Sequence, residues 1–137
     1  MAVALDEKDL IDRTAFARAR SELGAGFVRI LGYFREDGVK SVAALEAAMR
    51  AGNAAAMVIP AHTLKGESFQ FGAEPLGTVA ERIEVIARAC VENHDTPEEA
   101  LEHIVALRPL FEATLAMLER DSNPLVARRP AFGRRAI

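Results

Sequence analysis

Apolar residues recur along this chain at three- and four-residue steps, and no stretch shows the strict alternation of a strand. That spacing is the signature of helices with one buried face. Phe16 and Leu23 mark a short helix over 12–22, which Gly24 and Gly26 interrupt. Phe27, Ile30 or Leu31, Phe34, Val42, Leu45 and Met49 stripe a longer helix from about Ala25 to Ala51. Gly38 falls inside that stripe; it costs about 1 kcal/mol against Ala and marks a place to bend. Gly52 is a C-terminal stop, and Asn53 suits the N-cap of another helix.

That helix runs from Ala54 to about Phe71 and contains Pro60. An interior proline removes a backbone donor and crowds the carbonyl four residues back, here Ala56. Either the helix kinks just before His62, or it breaks and restarts near Pro60. The kink is preferred, because the apolar pattern passes through Met57, Ala61 and Leu64 without a turn signal. Gly72 ends this helix. Pro75 suits the first turn of another, which runs to about Asn93 on Leu76, Val79, Ile83, Ile86 and Cys90. Thr96-Pro97-Glu98-Glu99 reads as a capping box with proline at the first helical position. The last helix then reaches about Arg120 on Leu101, Ile104, Leu107 or Arg108, Phe111, Leu115 and Leu118, with a kink expected at Pro109. Short connections between four amphipathic helices predict an all-α, up-and-down antiparallel four-helix bundle, with the 12–22 helix packed across one end. The bundle is assigned to 1–121, and 122–137 is read as a basic, flexible tail.

Composition agrees with one domain of this kind. The 137 residues suffice for a proper core, and Ala, Leu, Glu and Arg favour helices. A single cysteine, Cys90, allows no internal disulfide and fits a small core residue in a cytoplasmic setting. No signal peptide or membrane-length apolar run is seen. The net charge of −3 conceals an acidic body and a tail whose only charges are Arg128, Arg129, Arg134 and Arg135. An acidic body does not suit a nucleic-acid binder, and a basic tail alone is a weak signal for an acidic partner or membrane.

The chemistry concentrates in Ala61-His62-Thr63-Leu64-Lys65-Gly66-Glu67-Ser68-Phe69-Gln70-Phe71-Gly72. At about 100° per residue, Leu64, Ser68 and Phe71 share one side of the helix. His62, Lys65, Gly66 and Phe69 share the other, and Val58 joins them. If Leu64 faces a core, His62 faces water. A neutral imidazole is a usable nucleophile near neutral pH, provided its other nitrogen stays protonated and held. That requires an acceptor on a neighbouring helix, and Glu84 is the candidate. Lys65, one turn from His62, can stabilise charge on a transferring group. Gly66 leaves room for a partner to approach the ring, and Val58 and Phe69 are candidates for an apolar docking patch. Ser68, on the inner side, is expected to bond within the bundle. His94 and His103 read as ordinary surface residues.

The pattern A-H-x-L-K-G-x-S-x-x-x-G resembles the signature of histidine-containing phosphotransfer (HPt) domains. The resemblance extends from roughly Asp12 to Leu118 and includes Leu76 and the run from Glu81 to Arg88. It implies that His62 accepts a phosphoryl group from one receiver-domain aspartate and donates it to another. In that family a Gln or Glu commonly orients the histidine, and Glu84 stands at the matching position. Arg88 resembles the basic residue that some members place near the phosphate. Glu67 departs from the family, where a small residue is common; it is expected to add negative charge near an incoming phosphoryl group.

The reading is of a free-standing phosphorelay intermediate. It is a stoichiometric carrier rather than an enzyme, since the chain is too short for an added ATP-binding kinase domain and shows no glycine-rich nucleotide loop. The expected partners are receiver domains of a hybrid sensor kinase and of a response regulator, with no nucleic acid and no membrane, and the chain is expected to be a monomer. No cofactor is expected, and the divalent metal of the reaction is assigned to the receiver domain. One alternative is a bundle that binds receivers and transfers nothing. A metal or cofactor bundle would need paired inward ligands, and Glu99 with His103 has no matching set.

Overall fold

The computed structural model describes residues 7–122, which form six α-helices and contain no strand. A one-turn helix α1 (Glu7–Leu10) precedes α2 (Arg13–Leu23). A 3₁₀ turn (Gly24–Gly26) leads directly into α3 (Phe27–Ala51), followed by α4 (Ala55–Gln70) and α5 (Glu74–Asn93). A second 3₁₀ turn (Glu98–Ala100) opens α6 (Leu101–Ser122). Helices α3 to α6 pack in a ring, each against the next and α6 back against α3. This is the expected four-helix bundle. The tail assigned to 122–137 lies outside the described residues after Ser122.

Each helix is bounded by local chemistry. The Asp12 carboxylate accepts from the backbone N–H groups of Thr14 and Ala15, which caps α2. Gly52 takes a left-handed conformation, φ 64°, to end α3. The Asn53 side chain then accepts from Ala56 N–H at 3.1 Å, the capping role its sequence position implied. Helix α4 runs through Pro60 unbroken, so a restart there is excluded.

Three expectations change. No helix is assigned before residue 12, yet Leu10 and the following Ile11 are buried, and α1 is an added turn. The capping box at Thr96 does not form as expected, because Thr96 donates its hydroxyl to Glu98 and Pro97 precedes a 3₁₀ turn. That tighter turn changes the helical phase. Ala100 is therefore buried, while Leu101 is 51% exposed. Gly38 has a packing role besides: a Cβ there would stand 2.3 Å from Cε1 of Phe111, so the glycine lets α6 approach α3.

The two open choices in the stripes resolve toward Leu31 and Leu107, both buried. Arg108 turns outward and makes a two-bond pair with Glu46 of α3, at 2.9 and 2.7 Å. A chain of aromatic contacts, Phe16–Phe27–Phe71–Phe34–Phe111, threads the core with centroid spacings of 5.4 to 5.8 Å. It ties α2 to α3, to the α4–α5 turn and to α6. At that end Asp12 N–H donates to Gly72 C=O at 2.7 Å, which seats the start of α2 on the turn. Arg13 pairs with Asp121 of α6 at the same end. The short N-terminal helix thus crosses one end of the bundle, as expected.

Candidate functional site

The site lies on the seam between α4 and α5, the most closely packed helix pair. On α5 the seam residues are Gly77, Ala80, Glu84 and Ala87, spaced at three and four, all buried and three of them small. The buried face of α4 carries Met57, Ala61, Leu64 and Ser68. Small residues bring the backbones together, and the longer Glu84 side chain then has only one polar direction open, outward along the seam toward α4.

His62 stands on the outer side of α4 with its side chain 61% exposed, while Leu64 is fully buried. Its Nδ1 lies 2.9 Å from Oε2 of Glu84. Arg88, one turn along α5, donates from Nε to the same oxygen at 2.9 Å and places Nη2 at 2.8 Å. Lys65 Nζ forms an ion pair with the other carboxylate oxygen at 2.8 Å. Burial alone would push the Glu84 carboxyl up. Bonds from Lys65, Arg88 and His62, with the Lys65 charge, prevail and hold it at about 2. A carboxylate so firmly ionised can only accept. The ring proton of neutral His62 therefore sits on Nδ1, and the Nε2 lone pair faces solvent.

The structure thus brings His62, Lys65, Glu84 and Arg88 into one cluster. Glu84 is a buried anchor rather than a surface carboxylate, and both cations are tied to it. Against its single negative charge they leave one net positive charge beside the ring. Gly66 is exposed, and nothing lies within 4 Å of where its Cβ would be, so bundle packing does not require a glycine there.

The two proposed docking residues differ. Val58 is half-buried and lines a shallow hollow with Ala55, Arg88, Val91 and Glu92. Phe69 is 37% exposed, but its ring rests on Gly77, where a Cβ would come within 2.5 Å of Cε1. Phe69 is thus a packing residue with one open edge. Ile59 escaped the sequence reading; it is 76% exposed and lies one turn before His62. Its i−3 spacing from the histidine was the available signal.

Two further expectations are corrected. Glu67 does not face the histidine's approach side; it turns to α3, where its carboxyl lies beside that of Asp37 and its Oε1 is buried with no hydrogen-bond partner among the described residues. Five residues from His62 is about 140° round the helix, which directs it to the other seam. Burial first, then the Asp37 carboxyl beside it, push the Glu67 carboxyl up to about 7. Ser68 is fully buried as expected, but its hydroxyl has no hydrogen-bond partner among the described residues. Its small size suits the close helix crossing.

Cys90 is a buried thiol whose Sγ reaches Thr96 C=O at 3.6 Å. Burial and the charges of Asp95, Glu99 and Glu98 push it up, away from thiolate reactivity. His94 is exposed and closes α5 with φ 57°; His103 is half-buried on α6. Among the described residues no group of three or more His, Cys, Asp or Glu side chains is placed to hold a metal, and no helix is long and apolar enough to cross a membrane.

Comparisons with known proteins bear on this arrangement. A family model described as Hpt domain matches residues 29–121, a span that includes every residue of the cluster. No curated protein gave a significant match. Among solved structures, the crystal structure of histidine-containing phosphotransfer protein B (HptB) from Pseudomonas aeruginosa PAO1 is similar in fold. Its TM-score is 0.72 at 23% identity, over 82% of this chain and 93% of that one.

Proposed function

The chain belongs to the Hpt domain family, and from that premise we propose that His62 is the residue on which it carries a phosphoryl group between receiver domains in a two-component phosphorelay. The observation that supports this most is the pairing of an exposed imidazole with an ionised carboxylate 2.9 Å from Nδ1. The pairing presents Nε2 as a nucleophile in fixed orientation. In the step we infer, the Nε2 lone pair forms a bond to the phosphorus of a receiver's aspartyl phosphate. The P–O bond breaks, and its electron pair returns to the aspartate carboxylate. The reverse step, on a second receiver, empties the site.

Lys65 and Arg88 supply positive potential beside the incoming group while keeping Glu84 ionised. Gly66, Val58 and Phe69, with Ile59, would form the surface against which the receiver sits. We place the protein as a monomeric, stoichiometric carrier. The partner receivers would belong to a hybrid sensor kinase and a response regulator, in the cytoplasm. The divalent metal of the reaction is assigned to the receiver, and no cofactor to this chain.

The test is transfer from a phosphorylated receiver domain. The expected result is an acid-labile label on His62, lost in His62→Gln. Receiver binding with no label on the native protein would instead favour an interaction module that transfers nothing.

A further inference from the structure

We propose that the outward face of α6 is a docking surface for the segment that follows it, residues 123–137, which lays its two arginine pairs and Phe132 back along that helix. The proposal does not depend on the reading of His62. It concerns a face that the cluster on the α4–α5 seam does not use.

Helix α6 packs on α3 and α5 and lies across the ring from α4. At about 100° per residue, Leu101, Pro109 and Ala116 all fall within about 40° of Val105, on one line that faces away from the core. Val105 is 68% exposed and Leu101 51%, and Pro109 and Ala116 are exposed with them. An apolar line left open in this way marks an interaction surface. Its flanks are acidic. Glu112 and Glu102 stand in or beside the line, and Glu98 and Glu99 lie where it begins, all four exposed. The arginines of α6 do not offset them, because Arg108 is bonded to Glu46 and Arg120 to Asp121. A second copy seated face to face would set these carboxylates against their own kind, which disfavours a symmetric dimer here. The face fits an occupant that is basic and partly apolar.

The segment 123–137 has that chemistry. Its only charges are Arg128, Arg129, Arg134 and Arg135, and Phe132 stands between the two pairs. Pro124 and Pro130 oppose a helix and favour extended backbone before them. The spacing also agrees. With Asn123-Pro124 reversing the direction, extended backbone at about 3.3–3.6 Å per residue brings Arg128 and Arg129 about 15 Å back along α6. The same arithmetic puts Phe132 about 27 Å back and the second pair about 35 Å back. Measured from Ser122 at about 1.5 Å per residue, Glu112 lies about 15 Å back, Val105 about 25 Å, and Glu102 to Glu99 about 30–35 Å. Each arginine pair thus meets acids, and Phe132 meets Val105.

The experiment uses the full chain with a nitroxide at position 131, carried by Cys90→Ala/Ala131→Cys, and reads the loss of backbone amide signal in ¹⁵N spectra. At low salt the amides of Leu101, Val105 and Ala106 should lose at least about half their intensity, because a tethered segment meets its site at millimolar effective concentration. Those of Val58, Ile59 and His62 should keep theirs. Arg128→Glu/Arg129→Glu should restore the α6 signals, and Glu112→Arg added to it should bring the loss back. Val105→Asp, at a position exposed enough to leave the bundle folded, should restore them as well. Loss over α4 and α5, or nowhere in the bundle, overturns the proposal, and so does loss that survives both Arg128→Glu/Arg129→Glu and Val105→Asp. Nitroxide-bearing chain mixed with ¹⁵N chain that lacks the nitroxide should show no loss. Loss in that mixture would assign the segment to a second copy and overturn docking within one chain. A check that leaves Cys90 in place compares amide shifts of the native chain and Arg128→Glu/Arg129→Glu. Changes at Leu101, Val105 and Ala106 are expected, and changes confined to 123–137 would be contrary.

Discussion

The ring of Phe69 on α4 occupies the space that a side chain on Gly77 of α5 would need. This contact sets the approach of the two helices at the end of the seam, two turns from His62. Gly77→Ala should therefore displace the ring and cost about 1–3 kcal/mol, read as a lowered midpoint in denaturant. Phe69→Ala should also destabilise, by about 1–2 kcal/mol for its buried part. If Phe69→Ala lowered receiver affinity with no change in stability, the ring would belong to the docking surface alone.

His62 contributes no buried surface of note, since its side chain is 61% exposed. His62→Gln should abolish acid-labile phosphorylation and leave helical circular dichroism and melting nearly unchanged, within about 0.5 kcal/mol. A variant that still accepts phosphate would move the site. Marked unfolding would make the histidine structural.

Glu67 gives the protein a pH dependence at the α3–α4 seam. Its carboxyl is raised from 4.5 to about 7 in the folded state, by burial first and by Asp37 second. The folded protein binds that proton more tightly than the unfolded chain does. This contribution is therefore most favourable below about pH 4.5, is lost as the pH rises to about 7, and is flat above. Partial solvent contact reduces the loss to roughly 1 kcal/mol. Glu67→Gln should raise the melting temperature at about pH 8 and leave it little changed at about pH 4. An equal gain at both pH values would remove the raised Glu67 carboxyl from the explanation.

The helices were legible because each carries its apolar stripe at the spacing that burial demands, and because Gly52, Asn53 and Gly72 punctuate them. The histidine face was legible from the angle between His62 and Leu64 alone. What the sequence hid were distances between elements. Nothing local to Glu84 says that it is buried; its burial comes from Gly77, Ala80 and Ala87 drawing α5 against α4. Gly38 read as a weakness in α3 because its partner, Phe111, lies far along the chain. Leu101 misled because a 3₁₀ turn shifted the phase of the helix after it. Glu67 was read by its place in the HPt signature rather than by its own angle, which directs it to α3. The resemblance to the HPt signature added what the helical pattern could not: which exposed face carries chemistry.

Gly66 separates stability from function more sharply than any other position. It is exposed, its neighbourhood is empty where a Cβ would stand, and its conformation is helical. Glycine there weakens α4 by about 1 kcal/mol relative to a good helix former, and the bundle gains nothing from it. The compensation must lie outside the bundle. Gly66 stands one turn after His62 on the same face, where a receiver must bring its aspartate within bonding distance of Nε2. Gly66→Gln should therefore raise stability by up to about 1 kcal/mol while receiver-to-His62 transfer falls at least about tenfold. Loading by phosphoramidate should stay near native, since a small donor needs no docking surface. Melting, receiver transfer and phosphoramidate loading together locate the effect. A loss of phosphoramidate loading would place the damage in the imidazole cluster. Native receiver transfer would put the docking face elsewhere on α4 or α5.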